Sequence, residues 1–222
     1  DLAGRHVVVS AGGTHEHLYP VRYLGNSSSG LMGIALARAA GLRGASVTIV
    51  TAHVSAPLPN GAWLRVVPAT STADLADAMR DVAPTADVVI MAAAPADFTP
   101  VTVSAGKIKK DADAGLVLEL RQTIDILASL SHDRARAGQV IVGFAAETAS
   151  DPGRLLQLGR EKLARKGCDL LVLNDVSGGA VFGDARNTVT ILDADGIVAQ
   201  ASGDKNVIAH RILDAVVRTK EN

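Results

Sequence analysis

Several short segments of this 222-residue chain carry residue types that bind or react with small anions. The first is Ser10-Ala-Gly-Gly-Thr14, followed at a distance by Asn26-Ser-Ser-Ser-Gly-Leu-Met-Gly33. Glycine lets a backbone approach a ligand closely, and a helix start offers unpaired N–H groups with a positive dipole end. Serine hydroxyls add donors, so the pair of segments suits a phosphate; the alternative is an ordinary strand-to-helix loop. No G-x-G-x-x-G follows the first apolar run, no acid closes Val50-Thr-Ala-His53, and no P-loop is present. A nucleotide, if bound, is held in some other way.

The second segment is Ala92-Ala-Ala-Pro-Ala-Asp97-Phe98, directly after a run that reads as a buried strand. Small residues at a carboxyl strand end leave room for a ligand. Asp97 there either binds a substrate hydroxyl or amide, helps place a cation, or caps a turn. Lys107-Ile-Lys-Lys110 lies in an irregular stretch, where lysines either close over a polyphosphate or face water. Lys162 and Lys166 stand four apart on one helical face, with the same two readings. Asn174-Asp-Val-Ser177 is another strand end, where Asn174 either reads a base or ribose or starts an Asx turn.

Three features carry no site. His15-Glu-His17 lacks the further Cys/His spacing a zinc site needs, so no direct metal ligand is assigned. Cys168 precedes a buried strand and reads as a core thiol, and a single cysteine allows no internal disulfide. The glycosylation triplet at Asn26 is a chance match in a chain expected to be cytoplasmic.

The elements that must position these segments alternate. Strands are expected at His6–Ser10, Ser46–Thr51, Trp63–Val67, Asp87–Ala92, Gln139–Phe144 and Asp169–Leu173. Helices are expected at Leu31–Leu42 (Arg38 and Arg43 late, where cations favour the dipole), Ser71–Val82, near Asp125–Ser131, from about Gly153 to Lys166, and at Asn206–Thr219. Thr70 or Ser71 caps the second helix, with Asp74 in its first turn. From Pro95 to about Ile124 the rhythm breaks, apart from a strand-like Leu116–Leu120; a mobile, lysine-bearing loop is expected over about 99–115. A hairpin is expected over about 188–200, turning at Asp193-Ala-Asp-Gly196. The fold class is α/β: one Rossmann-like, doubly wound, mostly parallel domain over 1–222.

Composition narrows the partners. Hydrophobic residues make up 48% and charged residues 20%, which excludes disorder, and the net charge of −1 gives no field to hold nucleic acid. Apolar stretches such as Val88–Ala96 fall short of the roughly 20 residues of a membrane helix, and the first residues show no charged-then-apolar leader. Neither a nucleic acid nor a membrane partner is expected. Three Phe, two Tyr and one Trp leave a core of Ala, Val, Leu and Ile, with all rings but Trp63 beside the segments above.

These segments, in this order, resemble the phosphopantothenate–cysteine ligase family over nearly the whole chain. The carrying residues include Pro20-Val-Arg22-Tyr-Leu-Gly-Asn26, Val142-Gly-Phe-Ala-Ala-Glu-Thr148 and Lys162–Asn174, besides those already quoted. The resemblance implies a homodimer that activates 4′-phosphopantothenate with CTP and Mg²⁺ as an acyl-cytidylate, releases pyrophosphate, and lets cysteine displace CMP. It implies that Asn26 holds the acyl-cytidylate, that Lys107 assists turnover from a mobile loop, and that Arg22 arrives from the partner subunit. Ala93, Ala94 and Asp97 would line the substrate pocket. Gly12, Gly13, Ser28, Gly30, Gly33, Phe144, Lys162, Lys166 and Asn174 would form the nucleotide site, the magnesium riding on the phosphates. A fused or associated flavin-dependent decarboxylase domain is also implied.

The chain departs from the family pattern in places. T-R-E-P-L-D-P-V-R reads Thr14-His-Glu-His-Leu-Tyr-Pro-Val-Arg22, so His15, His17 and Tyr19 replace arginine, proline and aspartate. Leu31 stands where a cation commonly follows S-S-G, N-P-D-I reads Thr123-Ile-Asp-Ile126, and Pro95 interrupts A-A-V-A-D. A paralogous amide ligase acting on another acid, a nicotinamide-dependent oxidoreductase and a non-catalytic nucleotide-binding subunit are the alternatives.

Overall fold

The computed structural model describes residues 1–109, 115–148, 151–175 and 186–221. Strand β1 (His6–Ala11) lies inside an eight-stranded sheet, and its Val7, Val8 and Val9 are wholly buried. Burial on both faces is why this run reads as continuous valine rather than as an alternating pattern. A hairpin of β2 (Glu16–Tyr19) and β3 (Arg22–Leu24) follows, then α1 (Leu31–Leu42), β4 (Ser46–Thr51), β5 (Leu64–Pro68), α2 (Thr72–Val82) and β6 (Val88–Met91). Beyond the small pair β7 (Phe98–Pro100) and β8 (Leu120–Gln122) come α3 (Ile126–His132), β9 (Val140–Glu147), α4 (Pro152–Lys166) and β10 (Leu170–Asp175). The chain closes with β11 (Arg186–Leu192), β12 (Ile197–Asp204) and α5 (Lys205–Glu221).

The strand order is β12-β11-β10-β9-β6-β1-β4-β5, parallel from β10 to β5 and antiparallel at β10–β11–β12. This is the expected doubly wound, mostly parallel α/β sheet with a terminal hairpin. Helices α1 and α5 cover one face and α2, α3 and α4 the other, each closing its own apolar cluster. Leu36, Ile212 and Leu213 are fully buried in the first. Each such side chain stabilises the fold by about 1.5–3 kcal/mol. Helix α1 lies close to the sheet because Gly33 has no side chain: a Cβ there would sit 2.6 Å from the Ala11 Cβ. Trp63, the ring remote from every motif, packs on Gly41 at the other end of α1, where a Cβ would come within 2.5 Å of the indole.

The sequence signals at element ends hold. Ser71 and Asp74 form a reciprocal capping box on α2, Asp125 caps α3 and Asp151 caps α4. Asp193 accepts from the Asp195 and Gly196 amides at the tip of the terminal hairpin, which runs longer than 188–200. Other expectations are corrected. Arg43 does not lie in the last turn of α1 but follows it, pairing with Asp1 and, at 2.8 Å, with Asp214, so it ties the N-terminus to α5. The strand expected at Leu116–Leu120 begins only at Leu120, and Leu116 and Val117 are exposed. The region after β6 is not wholly irregular, since Phe98–Pro100 pairs with Leu120–Gln122. Among the described residues no helix is long and apolar enough to cross a membrane.

Candidate active site

A cavity of about 520 Å³ opens at the carboxyl ends of β6, β9 and β10, beside the start of α1. Its floor is Ala92–Asp97, and buried hydrogen bonds fix that segment. The Ala93 amide donates to Ser10 Oγ (3.1 Å), the Ala94 amide to the Gly12 carbonyl (2.8 Å), and the Ala96 amide to Thr14 Oγ1 (2.8 Å). The Ala96 carbonyl accepts from Thr123 Oγ1 at 2.7 Å. Thr14 Oγ1 lies 3.0 Å from Thr72 Oγ1, and buried Glu16 accepts from the Thr72 amide (2.7 Å) and hydroxyl (2.9 Å). Pro95 interrupts this run without cost because every neighbouring amide named here has its acceptor. Exposed Asp97, Ala93 and Ala94 line the cavity.

The start of α1 forms one wall. Gly30 is its N-cap at φ +75°, no side chain caps the helix, and Ser28, Gly30, Leu31 and Met32 line the cavity. The first-turn amides are therefore left for an anion. Asn26 also lines the cavity, and its Nδ2 donates to the Pro95 carbonyl at 2.9 Å, bridging this wall to the floor. Gly12, Gly13 and Gly33 are not lining residues. They allow close packing behind the wall: a Cβ on Gly12, at φ +91°, would lie 2.3 Å from the His53 carbonyl oxygen, and one on Gly13 2.7 Å from that of Asn26. The structure thus gives these three glycines a packing role beneath the site.

Phe144, half-buried on β9, lines the opposite wall with Lys162 and Lys166 from α4 and Asn174 from β10. Lys162 pairs with Glu147 at 2.7 Å and Lys166 with Asp125. Burial works against ionising Asp125, but the Lys166 ammonium and the Ala128 amide outweigh it, and the carboxyl titrates below its ordinary range. Among the lining residues without a counterpart in the motifs are Asn187, whose Nδ2 donates to Asn174 Oδ1 at 3.1 Å, and Lys205, a buried lysine at the first residue of α5. A cation at a helix N-terminus runs against the dipole, and that is the signal by which Lys205 was findable.

Arg22, expected to arrive from a partner subunit, and Lys107, expected on a mobile loop, lie outside this chain's cavity lining. Arg22 is exposed on β3, its guanidinium carbon 5.7 Å from the centre of the Tyr19 ring. Lys107 is exposed and outside the lining. Lys110, Ser177 and Phe182 lie outside the described residues. His15 stacks between Tyr23 (centroids 3.5 Å apart) and His53 (4.5 Å), and no group of three metal-ligating side chains occurs among the described residues. Cys168 is buried, and burial pushes its thiol up to about 11, as a core thiol should behave.

This arrangement can hold a large polar ligand with one anionic group at α1, a planar group near Phe144 and a further chain over the alanine floor. Residues 2–219 match the family described as the DNA/pantothenate metabolism flavoprotein C-terminal domain. The chain belongs to that family. It is similar to the coenzyme A biosynthesis bifunctional protein CoaBC of Mycobacterium tuberculosis (strain H37Rv), with 48% identity over 98% of this chain and 53% of that protein. The CoaBC of Bacillus subtilis shares 45% identity over 88% of this chain and 46% of its own length. The chain thus spans about half the length of the curated relatives it matches. Among solved structures, the C-terminal domain of CoaBC superposes with a TM-score of 0.79 and 30% identity, covering all of this chain and 98% of that one. The family fits a ligand site built without the dinucleotide fingerprint, so the oxidoreductase alternative gains no support.

Proposed function

We propose that this family member is the ligase half of a coenzyme A biosynthesis enzyme, joining 4′-phosphopantothenate to cysteine at the expense of CTP. The observation that carries it is the meeting, in one cavity, of Asn26, the uncapped start of α1, the alanine floor with Asp97, and Phe144 with two α4 lysines. A carboxylate and a triphosphate repel one another, and such a site lowers that repulsion by fixed amides and ammonium groups rather than by water. In the first step a carboxylate oxygen of the acid attacks the α-phosphorus. The bond from that phosphorus to the bridging oxygen breaks, and pyrophosphate leaves with the electron pair. In the second step the cysteine amine attacks the acyl carbon, CMP departs with the former carboxylate oxygen, and the amine loses a proton.

The roles follow placement. Asn26, bridged to the floor, holds the acyl-phosphate; Ala93, Ala94 and Asp97 take the pantothenate arm; Phe144 packs on the base; and Ser28, Gly30, Lys162, Lys166 and Asn174 hold the nucleotide. Lys107 lies on the exposed segment after β7 and reaches the phosphates only when that segment swings in. Magnesium suits the site without a protein cage: it keeps most of its waters and binds phosphates with one or two carboxylates, of which Asp97 and Asp125 face the cavity. Bound there, it would neutralise phosphate charge.

A homodimer is part of the same proposal. Val21 (75% exposed) and Tyr23 flank Arg22 on one hairpin, and Val101 and Val103 follow β7 nearby. The Ser104 amide donates to the Leu18 carbonyl at 2.9 Å, joining the two hairpins into one exposed apolar surface. A second copy covering it would receive Arg22 near its own site. A flavin-dependent decarboxylase domain as companion and a cytoplasmic setting complete the proposal; the relatives' bifunctional names and the flavoprotein description of the family support the companion.

The test is a panel of CTP and ATP against 4′-phosphopantothenate and related acids, with cysteine and Mg²⁺, scored by nucleoside monophosphate and pyrophosphate. CTP with 4′-phosphopantothenate is expected to give equal amounts of CMP and pyrophosphate. Turnover confined to another acid would instead favour the paralogue, to which His15, His17, Tyr19 and Leu31 point. Nucleotide binding without turnover on any acid would mark a non-catalytic subunit.

A further inference from the structure

Asn26 lines the cavity yet is exposed, just beyond the β2–β3 hairpin, where a side chain is ordinarily free to change rotamer. Its main chain lies against Gly13, where a Cβ would come within 2.7 Å of the Asn26 carbonyl oxygen, and its Nδ2 donates to the Pro95 carbonyl at 2.9 Å. A carbonyl only accepts, so Nδ2 and not Oδ1 meets Pro95. The second Nδ2 hydrogen and Oδ1 remain for a ligand.

The bond to Pro95 ends a series of hydrogen bonds that runs one way from a buried charge. A carboxylate can only accept, so the Thr72 hydroxyl gives its hydrogen to Glu16 at 2.9 Å, beside the Thr72 amide at 2.7 Å. The Ala96 carbonyl, 3.3 Å from that hydroxyl, already accepts from Thr123 at 2.7 Å. With its hydrogen committed to Glu16, Thr72 Oγ1 accepts from the Thr14 hydroxyl, 3.0 Å away. Thr14 Oγ1 in turn accepts from the Ala96 amide at 2.8 Å. The carbonyl of that same peptide unit belongs to Pro95 and accepts from Asn26. Glu16, Thr14 and Thr72 are all buried, and bonds aligned head to tail in a dry interior strengthen one another. Helix α2 has its own capping box at Ser71 and Asp74, so Glu16 is not the side chain that starts it. From this we infer that Glu16 is a positioning residue for Asn26. It orders the Thr72 and Thr14 hydroxyls and the Pro95–Ala96 peptide, and so presents the Asn26 amide to the acyl-phosphate in one orientation. Glu16 lies outside the cavity lining and acts only through Asn26. The inference rests on the proposed role of Asn26.

The test reads Asn26 directly and then through turnover, on the whole protein. In ¹⁵N-resolved NMR spectra, Glu16→Gln and Thr72→Val should each move the bonded Nδ2 proton of Asn26 upfield and speed its exchange with water. Each should lower kcat for CMP formation about ten- to a hundredfold, as a misplaced orienting group does, with KM for CTP changed less than about twofold. Thr72→Ser, which keeps the hydroxyl, should recover most of the rate. In the Asn26→Ala background, Glu16→Gln should lower kcat less than about twofold, because the group it acts through is gone. A full additional loss there would overturn the inference, as would unmoved Asn26 signals in both single variants. If Glu16→Gln does not fold, Thr72→Val against Thr72→Ser carries both measurements. Full turnover by Asn26→Ala contradicts the underlying reading, a separate result, and the amide signals then still decide whether Glu16 places Asn26.

Discussion

The floor of the cavity and the Lys107 segment are built on opposite principles. Between Ala93 and Ala96, three amides and a carbonyl are satisfied by Ser10, Gly12, Thr14 and Thr123, and the hub at Thr72 and Glu16 is buried. Lys107 has no such frame: it is exposed, and the nearby polar contact is Ser104 Oγ to the Gly106 carbonyl at 2.8 Å. Rigid placement suits the groups that orient substrate, because an error of an ångström there costs much of the rate. A cation on an exposed arm suits a charge that must be met only after ligands have entered. Damage to the floor should therefore show in stability, and damage to the arm in turnover alone.

The largest expected effect is on the arm. Lys107→Ala should slow CMP formation in single turnover by about 10²–10³-fold, the range for removing one donor to transition-state charge, with an unchanged unfolding midpoint. A lowered midpoint would break the contrast. On the floor, Thr14→Val leaves the buried Ala96 amide without its acceptor and should cost about 1–3 kcal/mol in urea unfolding. An unperturbed midpoint there would mean the floor is not held as described.

The smallest effect belongs to the hairpin between the two regions. Burial, then His53 and His17, lower the pKa of His15 from its ordinary 6.5, with Glu16 offsetting part of this. Unfolding restores the ordinary value, so the unfolded chain binds more protons in the window just below pH 6.5. The stacked, neutral His15 thus contributes stability above that pH, and the contribution is lost as pH falls through the folded value. Between about pH 7 and pH 5 the protein should lose more stability than His15→Phe does. Parallel curves for the two would remove His15 from the account.

Much of the frame was legible because its signals are local. The valines of β1 read as a buried strand, Ser71 and Asp74 read as a cap, and Leu31–Leu42 matches α1 end to end. The hairpin of β2 and β3 was not legible: its strands are three and four residues long, and Glu16 is buried only because the start of α2 supplies its hydrogen bonds. Leu116 and Val117 look like strand residues yet are exposed, since no neighbouring strand pairs with them among the described residues. In the site, Asn26, Asp97, Phe144 and the α4 lysines stand at strand ends or helix faces visible in the chain. Asn187 and Lys205 come from the terminal hairpin and helix, and only the antiparallel return of β11 beside β10 brings them to the cavity. The glycines were recognised as close-approach positions, but proximity in sequence did not separate Gly30, which lines the cavity while a Cβ there would meet Val54, from Gly12, Gly13 and Gly33, which lie outside the lining.

The central claim is that a carboxylate attacks the α-phosphorus of CTP in this cavity. 4′-Phosphopantothenate labelled with ¹⁸O in its carboxylate, turned over with CTP, Mg²⁺ and cysteine and read by ³¹P NMR, tests it directly. One labelled oxygen is predicted in the phosphate of CMP and none in pyrophosphate. Label in inorganic phosphate instead, or product formed with unlabelled CMP, would contradict the account.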